Sequence, residues 1–246
     1  MKPDKIAFIE RSFRDVADQD YVLARIAYRY DLRLQFVWLA QQAAEKYLKA
    51  LLLYNGRSAK RFRHSVVPAY DEVLRIHDIP FEFPASTRNF MQYLDDRASR
   101  YFEYSFYVTT KTLVALDRTV WFLRRYCEYI RGTTHDTDGQ VVDRLQREIQ
   151  WRGNALYLTK PYRFTMFHGY LESVLRDRSC KLRPFLTWSN LYFARRRRTS
   201  PDASRGFSTN SAIALDPSLV AELDSDVHFS KELKRRMEKW ASEEEP

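Results

Sequence analysis

The chain has 246 residues, 45% of them apolar and 15% aromatic, a composition that buries a core and excludes a disordered chain. Six glycines and nine prolines argue against a turn-rich all-β fold, and two cysteines, Cys127 and Cys180, exclude a disulfide framework and a four-cysteine zinc site. The formal net charge of +9 is unevenly spread: residues 1–131 carry +6, residues 132–143 carry −3, residues 144–205 carry +10 and residues 206–246 carry −4. A strongly basic stretch between acidic ones suits a polyanion-facing surface.

The apolar spacing of Ile6, Ile9, Phe13, Val16, Ala24 and Ala27 predicts a first helix over 6–30. Asp31 is placed to cap a second helix over 32–54, whose wide apolar face (Phe36, Ala40, Ala43, Tyr47, Ala50, with Leu48 and Leu51 beside it) needs more than one neighbour. Asn55-Gly56 stops it, because glycine accepts the left-handed conformation at a helix C-terminus. A basic loop follows, from Arg57 to His64. A third helix is expected over 66–76 and a fourth over about 86–99, capped by Ser86. A fifth, over 110–131, carries the stripe Leu113, Leu116, Val120, Leu123, Cys127 and Ile130. Short connections between long amphipathic helices predict an antiparallel up-and-down bundle, with the helices centred on Ala44 and Val120 packed together.

Beyond the bundle, residues 132–143 read as an acidic, polar linker and residues 144–246 as a basic, aromatic-rich and mostly helical extension. Helices are expected over 141–149 and 164–175, a flexible loop over 195–211, and a last helical region from Asp216-Pro217. No uninterrupted apolar run approaches the ~18 residues of a membrane span. The start, Met1 to Lys5, leads into an amphipathic segment unlike a signal peptide, so a reduced, cytoplasmic setting is expected.

The run from Trp38 to Leu53 contains Gln42-Ala43-Ala44-Glu45-Lys46-Tyr47-Leu48-Lys49-Ala50. It resembles the second helix of the HEPN domain family, whose pattern there is Gln-Ala-x-Glu-Lys-x-Leu-Lys-Ala. Asp20 and Ala24 resemble the family's first helix, and Arg100-Tyr101 its Arg-Tyr before the final helix. His64 stands where the family has His-Asp-Leu, with Ser65 in place of Asp. The resemblance covers residues from about 10 to 131 and implies an all-α bundle, RNA or nucleotide binding, and a homodimer. It also implies, for many members, a metal-independent endoribonuclease of the toxin–antitoxin or phage-defence kind using Arg-x4–6-His. A third implication is a non-catalytic module that dimerises or docks a nucleotidyltransferase-like partner.

These residue types suit that chemistry. A histidine moves the proton of an RNA 2′-hydroxyl, and an arginine clamps the phosphate through paired hydrogen bonds. Arg57 with His64 is the favoured catalytic pair; Arg163 with His168 has similar spacing, and residues 101–111, where the family usually carries its motif, contain no histidine. Gln42, Lys46 and Lys49 share one polar helix face able to meet a phosphate. Lys60, Arg61 and Arg63 make the loop basic, and Arg195, Arg196, Arg197 and Arg198 open a segment able to wrap a phosphate backbone beside ten aromatics of residues 144–205. His135, Asp136 and Asp138 lack a completing cluster, Cys180 lacks a placed histidine, and no glycine-rich phosphate loop occurs. No cofactor or metal is expected. The expected function is therefore RNA or nucleotide binding, with ribonuclease and docking module as alternatives.

Overall fold

A computed structural model describes residues 1–79, 81–97, 105–131, 133–135, 140–143, 146, 161, 169–194, 206–229 and 233–237. The fold is all-α with two short β-ribbons among these residues. Helix α1 (Pro3–Ile9) passes through a π-helical turn, Glu10–Arg14, into α2 (Asp15–Arg29). Helix α3 (Arg33–Tyr54) is the central element and packs on α2, α4 (Val66–Leu74), α5 (Ala85–Arg97) and α6 (Thr110–Arg124). Its many neighbours explain its broad apolar face: Phe36, Ala40, Ala43, Tyr47, Leu48, Ala50 and Leu51 are all fully buried. Each large side chain among them contributes about 1.5–3 kcal/mol through burial. Ala44 and Val120 both lie in this core, and α3 contacts α6 as expected.

Local chemistry sets the helix ends. Asp31 does not cap α3; it closes α2. Its φ of 58° is left-handed, and the amide of Leu32 donates to the Ala27 carbonyl (2.9 Å), the reversal that ends a helix. Gly56 (φ 71°) does the same for α3, with Arg57 N donating to Leu52 O at 2.9 Å. Thr109 and Thr112 form a reciprocal capping box that starts α6.

Two expected helical or loop segments differ. Val141–Asp143 is a strand (β3) antiparallel to Thr133–His135 (β2), in keeping with β-branched Val141 and Val142. Gly206–Thr209 (β4), expected within a loop, pairs antiparallel with Phe106–Thr109 (β1). Phe106 and Val108 of β1 point into the core while Tyr107 is exposed, and a side chain at residue 206 would collide with the Tyr107 ring. Helix α7 (Tyr170–Arg176) overlaps the helix expected over 164–175, whose residues 164–168 lie outside the described ones, and α8 (Arg183–Thr187) follows it. Helices α9 (Ala212–Leu215) and α10 (Leu219–Leu223) surround the Asp216-Pro217 turn. Ile213, Val220, Phe229 and Leu233 make a satellite cluster.

Residues 169–194 share the bundle's core through Leu171, Val174 and Leu186. Buried ion pairs bind them to it. Asp18 and Arg25 lie two turns apart on one face of α2, and Asp117 and Arg124 lie two turns apart on α6. The helices pair crosswise, Asp18 with Arg124 and Arg25 with Asp117, as antiparallel neighbours do. Arg124 donates to both Asp18 oxygens (2.7 and 2.9 Å) and to Glu172 of α7 (2.6 Å to Oε1). Asp18 also accepts from the Tyr47 hydroxyl (2.6 Å) and the Leu171 amide (3.2 Å).

Candidate nucleic-acid interface

The basic loop after α3 is fixed at both ends. The Gly56 reversal sets its start, and the Gln41 amide donates to the His64 carbonyl at its end (3.1 Å). Asp95 of α5 then accepts from the amides of Val66 and Val67, both at 2.9 Å, so a carboxylate from another helix caps α4. Burial raises the Asp95 pKa, against the pull of those amides.

Between these anchors the loop forms an open groove of about 780 Å³ lined by Arg57, Ser58, Lys60, Arg61, Arg63 and Glu72. Glu72 of α4 is the counter-charge. Arg57 Nη1 meets Glu72 Oε1 at 2.8 Å, while Arg61 Nη2 and Arg75 Nη1 meet Oε2 at 2.6 and 3.1 Å. The hydrogen bond from Arg57, reinforced by Arg75 and the charge of Arg61, holds the Glu72 carboxyl below the usual range. The cluster is therefore intact at neutral pH and loosens only as pH falls through that depressed value. Arg57 also donates to the Arg75 carbonyl (3.2 Å). Lys60 and Arg63 are exposed in the same groove.

Arg63 pays for its position. The Ser65 amide donates to the Phe62 carbonyl (2.9 Å), closing a turn whose first central residue, Arg63, has φ 47° and ψ −105°. Glycine favours that conformation, and an L side chain there is strained by about 1–3 kcal/mol. Arg63→Gly should therefore raise the melting temperature, by about 1 kcal/mol or roughly 2–4 °C, while removing a groove charge. A thermal melt that shows no gain, or a loss, refutes the strain.

His64 faces another carboxylate. Its Nδ1 lies 3.2 Å from Glu45 Oε2, and its side chain is 65% exposed. Glu45, nearly buried on α3, also holds Lys49 Nζ at 2.5 Å. Lys46 reaches Asp20 of α2 at 2.5 Å and Gln42 Oε1 at 3.2 Å. The structure thus brings Arg57, Lys60, Arg61 and Arg63 together, links Lys49 to His64 through Glu45, and turns Lys46 toward α2. Arg57 and His64 bind different carboxylates. Arg163, His168 and Arg195 to Arg198 lie outside the described residues, as do Arg100 and Tyr101. The i,i+4 pair of Glu45 with Lys49 is legible in the sequence, whereas Glu72 and the contact of Glu45 with His64 were missed, because a partner on another element leaves no local pattern. Among the described residues no cluster of histidine, cysteine and carboxylate side chains could hold a metal ion, and no helix is long and apolar enough to cross a membrane.

Residues 11–119 match the model of the HEPN domain family, described as "HEPN domain". The match spans α2 to α5, the basic groove and the first ten residues of α6. No curated protein and no solved structure matches the chain.

Proposed function

We propose, from the match of residues 11–119 to the HEPN domain family, that the chain binds RNA, or the phosphates of a nucleotide, in the basic groove that follows α3. The observation that carries this reading is the convergence of Arg57, Lys60, Arg61 and Arg63 around a single carboxylate, Glu72. Guanidinium groups can grip phosphate oxygens in pairs, and Arg57 and Arg61 are already oriented toward the groove by one contact each to Glu72. A phosphate entering the groove exchanges one anionic partner for another. Contacts of this kind read the backbone and not the bases, so affinity follows charge rather than sequence. The chain then acts as a cytoplasmic RNA-binding protein, paired as a homodimer in the manner the family resemblance implies.

A second reading, metal-independent RNA cleavage, is favoured by one contact. Glu45 holds Nδ1 of His64, which leaves Nε2 toward solvent, and a carboxylate-oriented imidazole is suited to proton transfer. His64 would act as acid or base and Arg57 as phosphate clamp.

One experiment addresses both. Four phosphate contacts give a slope of about −2.8 in log affinity against log salt for single-stranded RNA. The wild-type protein should therefore lose roughly fiftyfold in affinity between about 50 and about 200 mM salt. The same RNA is then incubated with wild type and His64→Ala in EDTA. Cleavage by the wild type alone assigns His64 to catalysis, equal cleavage by both removes His64, and cleavage by neither leaves binding as the function. A flat salt dependence removes the groove from RNA binding.

A further inference from the structure

At the other end of α3 from the groove, about 33 Å away along that 22-residue helix, aromatic rings are held open to solvent around a cation. Tyr30 is 64% exposed and Trp188 37% exposed. The Arg29 guanidinium lies over the Phe185 ring at 5.2 Å and the Trp188 ring at 5.5 Å, and Tyr30 meets Phe185 at 6.1 Å between centroids. Among the described residues Arg29 has no carboxylate partner. Exposed rings usually collapse onto a core or lie scattered; this group is braced from below. Fully buried Arg25 donates Nε to the Phe185 carbonyl (2.9 Å) and Nη2 to the Trp188 carbonyl, and is itself held by Asp117. Asn190 fixes the next residues, donating to the Tyr21 hydroxyl and the Leu186 carbonyl (both 2.8 Å) and accepting from the amides of Tyr192 and Phe193. Ser189 takes a left-handed φ of 49° to complete the bend. The backbone beneath Phe185 and Trp188 is therefore fixed before binding, which lowers the ordering cost.

We propose that Tyr30, Trp188 and Arg29 form a base-stacking platform for single-stranded RNA. A nucleobase stacks on an aromatic face irrespective of its identity, and Arg29 adds a cation beside the rings that donates to a phosphate or a base edge. The platform extends the RNA-binding reading of the groove: a strand whose backbone lies in the groove places bases on the rings at the far end of α3. It also selects for single strands, because bases in a duplex are already stacked and paired and cannot reach the rings.

The test compares a labelled mixed-sequence single-stranded RNA with the same RNA as a duplex, by fluorescence anisotropy. Tyr30→Ala and Trp188→Ala, both at exposed positions, should each weaken single-strand binding roughly tenfold. Duplex affinity and the salt slope should stay unchanged, and Trp188→Phe should recover most of the loss. Single-strand affinity equal to wild type in both alanine variants overturns the platform, as does an equal loss for single strand and duplex. Conversion of a dimer to a monomer by Tyr30→Ala in size-exclusion chromatography also overturns it, assigning this face to a contact between copies. The two readings fail separately. If the groove does not bind RNA, neutralising it leaves the salt slope intact while the ring variants still weaken single-strand binding. If the platform does not, the ring variants bind as wild type while groove neutralisation flattens the slope.

Discussion

Arg124→Ala should destabilise the protein by about 3–5 kcal/mol, lowering the melting temperature by about 10 °C. Arg124 is the sole guanidinium that joins Asp18 to Glu172 in the described contacts, and all three side chains are almost completely buried. Removing it strands two carboxylates in the core, and desolvated anions without a cation are among the costliest defects a fold can carry. The pH dependence follows from the same contacts. Burial already pushes the Glu172 carboxyl above its usual value, and Arg124 pulls it partly back. Without Arg124 the folded state regains stability by taking up a proton, which the unfolded state does only at lower pH. The deficit relative to wild type should therefore shrink as pH is lowered from about 8 to about 5. A deficit below about 1 kcal/mol, or one that grows on acidification, contradicts this account. Simultaneous replacement of Asp18, Arg124 and Glu172 by apolar residues should recover only part of the loss: no carboxylate is left stranded, but the buried Tyr47 hydroxyl and Leu171 amide lose the acceptor that Asp18 supplies.

Replacing Arg57, Lys60, Arg61 and Arg63 together by glutamine should flatten the salt dependence of RNA binding by up to about 2.8 log units per log unit of salt. The loss should be similar for RNAs of different sequence, since phosphate contacts carry no sequence information. These positions lie at the surface of one groove, outside the buried clusters, so the fold should survive; the melting curve supplies the control. Glu72→Gln is the opposite-sign test. It removes the groove's carboxylate and releases Arg57, Arg61 and Arg75 from it, and should tighten binding and steepen the slope. Unchanged slopes in both variants would show that the groove is an ordinary solvated surface.

Much of the bundle was legible in the sequence because helical periodicity is local. The stripes of α3 and α6 specify both the helices and the faces that meet, and Gly56 marks the end of α3 by its backbone alone. Asp31 was read as a cap because aspartate commonly fills that role; its left-handed backbone instead closes α2, a choice decided by the tight passage from α2 to α3. The strand Gly206–Thr209 was hidden because it is only 4 residues long and its partner lies about a hundred residues earlier, so nothing local to it signals the pairing. The crossed ion pairs did leave a trace. Asp18, Arg25, Asp117 and Arg124 are charges set two turns apart on otherwise apolar faces, and such interruptions in two helices point to each other. Of the site, the basic loop from Arg57 to Arg63 was readable from charge, whereas the assignment of Glu72 to the arginines and of Glu45 to His64 depends on how α3 and α4 cross.

The most direct measurement is lysine protection. Lys60 is exposed in the groove, and Lys5 is exposed on α1. The protein is treated with an amine-acetylating reagent with and without saturating single-stranded RNA, and modification is read by mass spectrometry. If RNA occupies the groove, Lys60 loses its reactivity in the complex while Lys5 keeps it. Equal acetylation of Lys60 in the free and RNA-bound protein would contradict the account, because the phosphate backbone would then lie elsewhere.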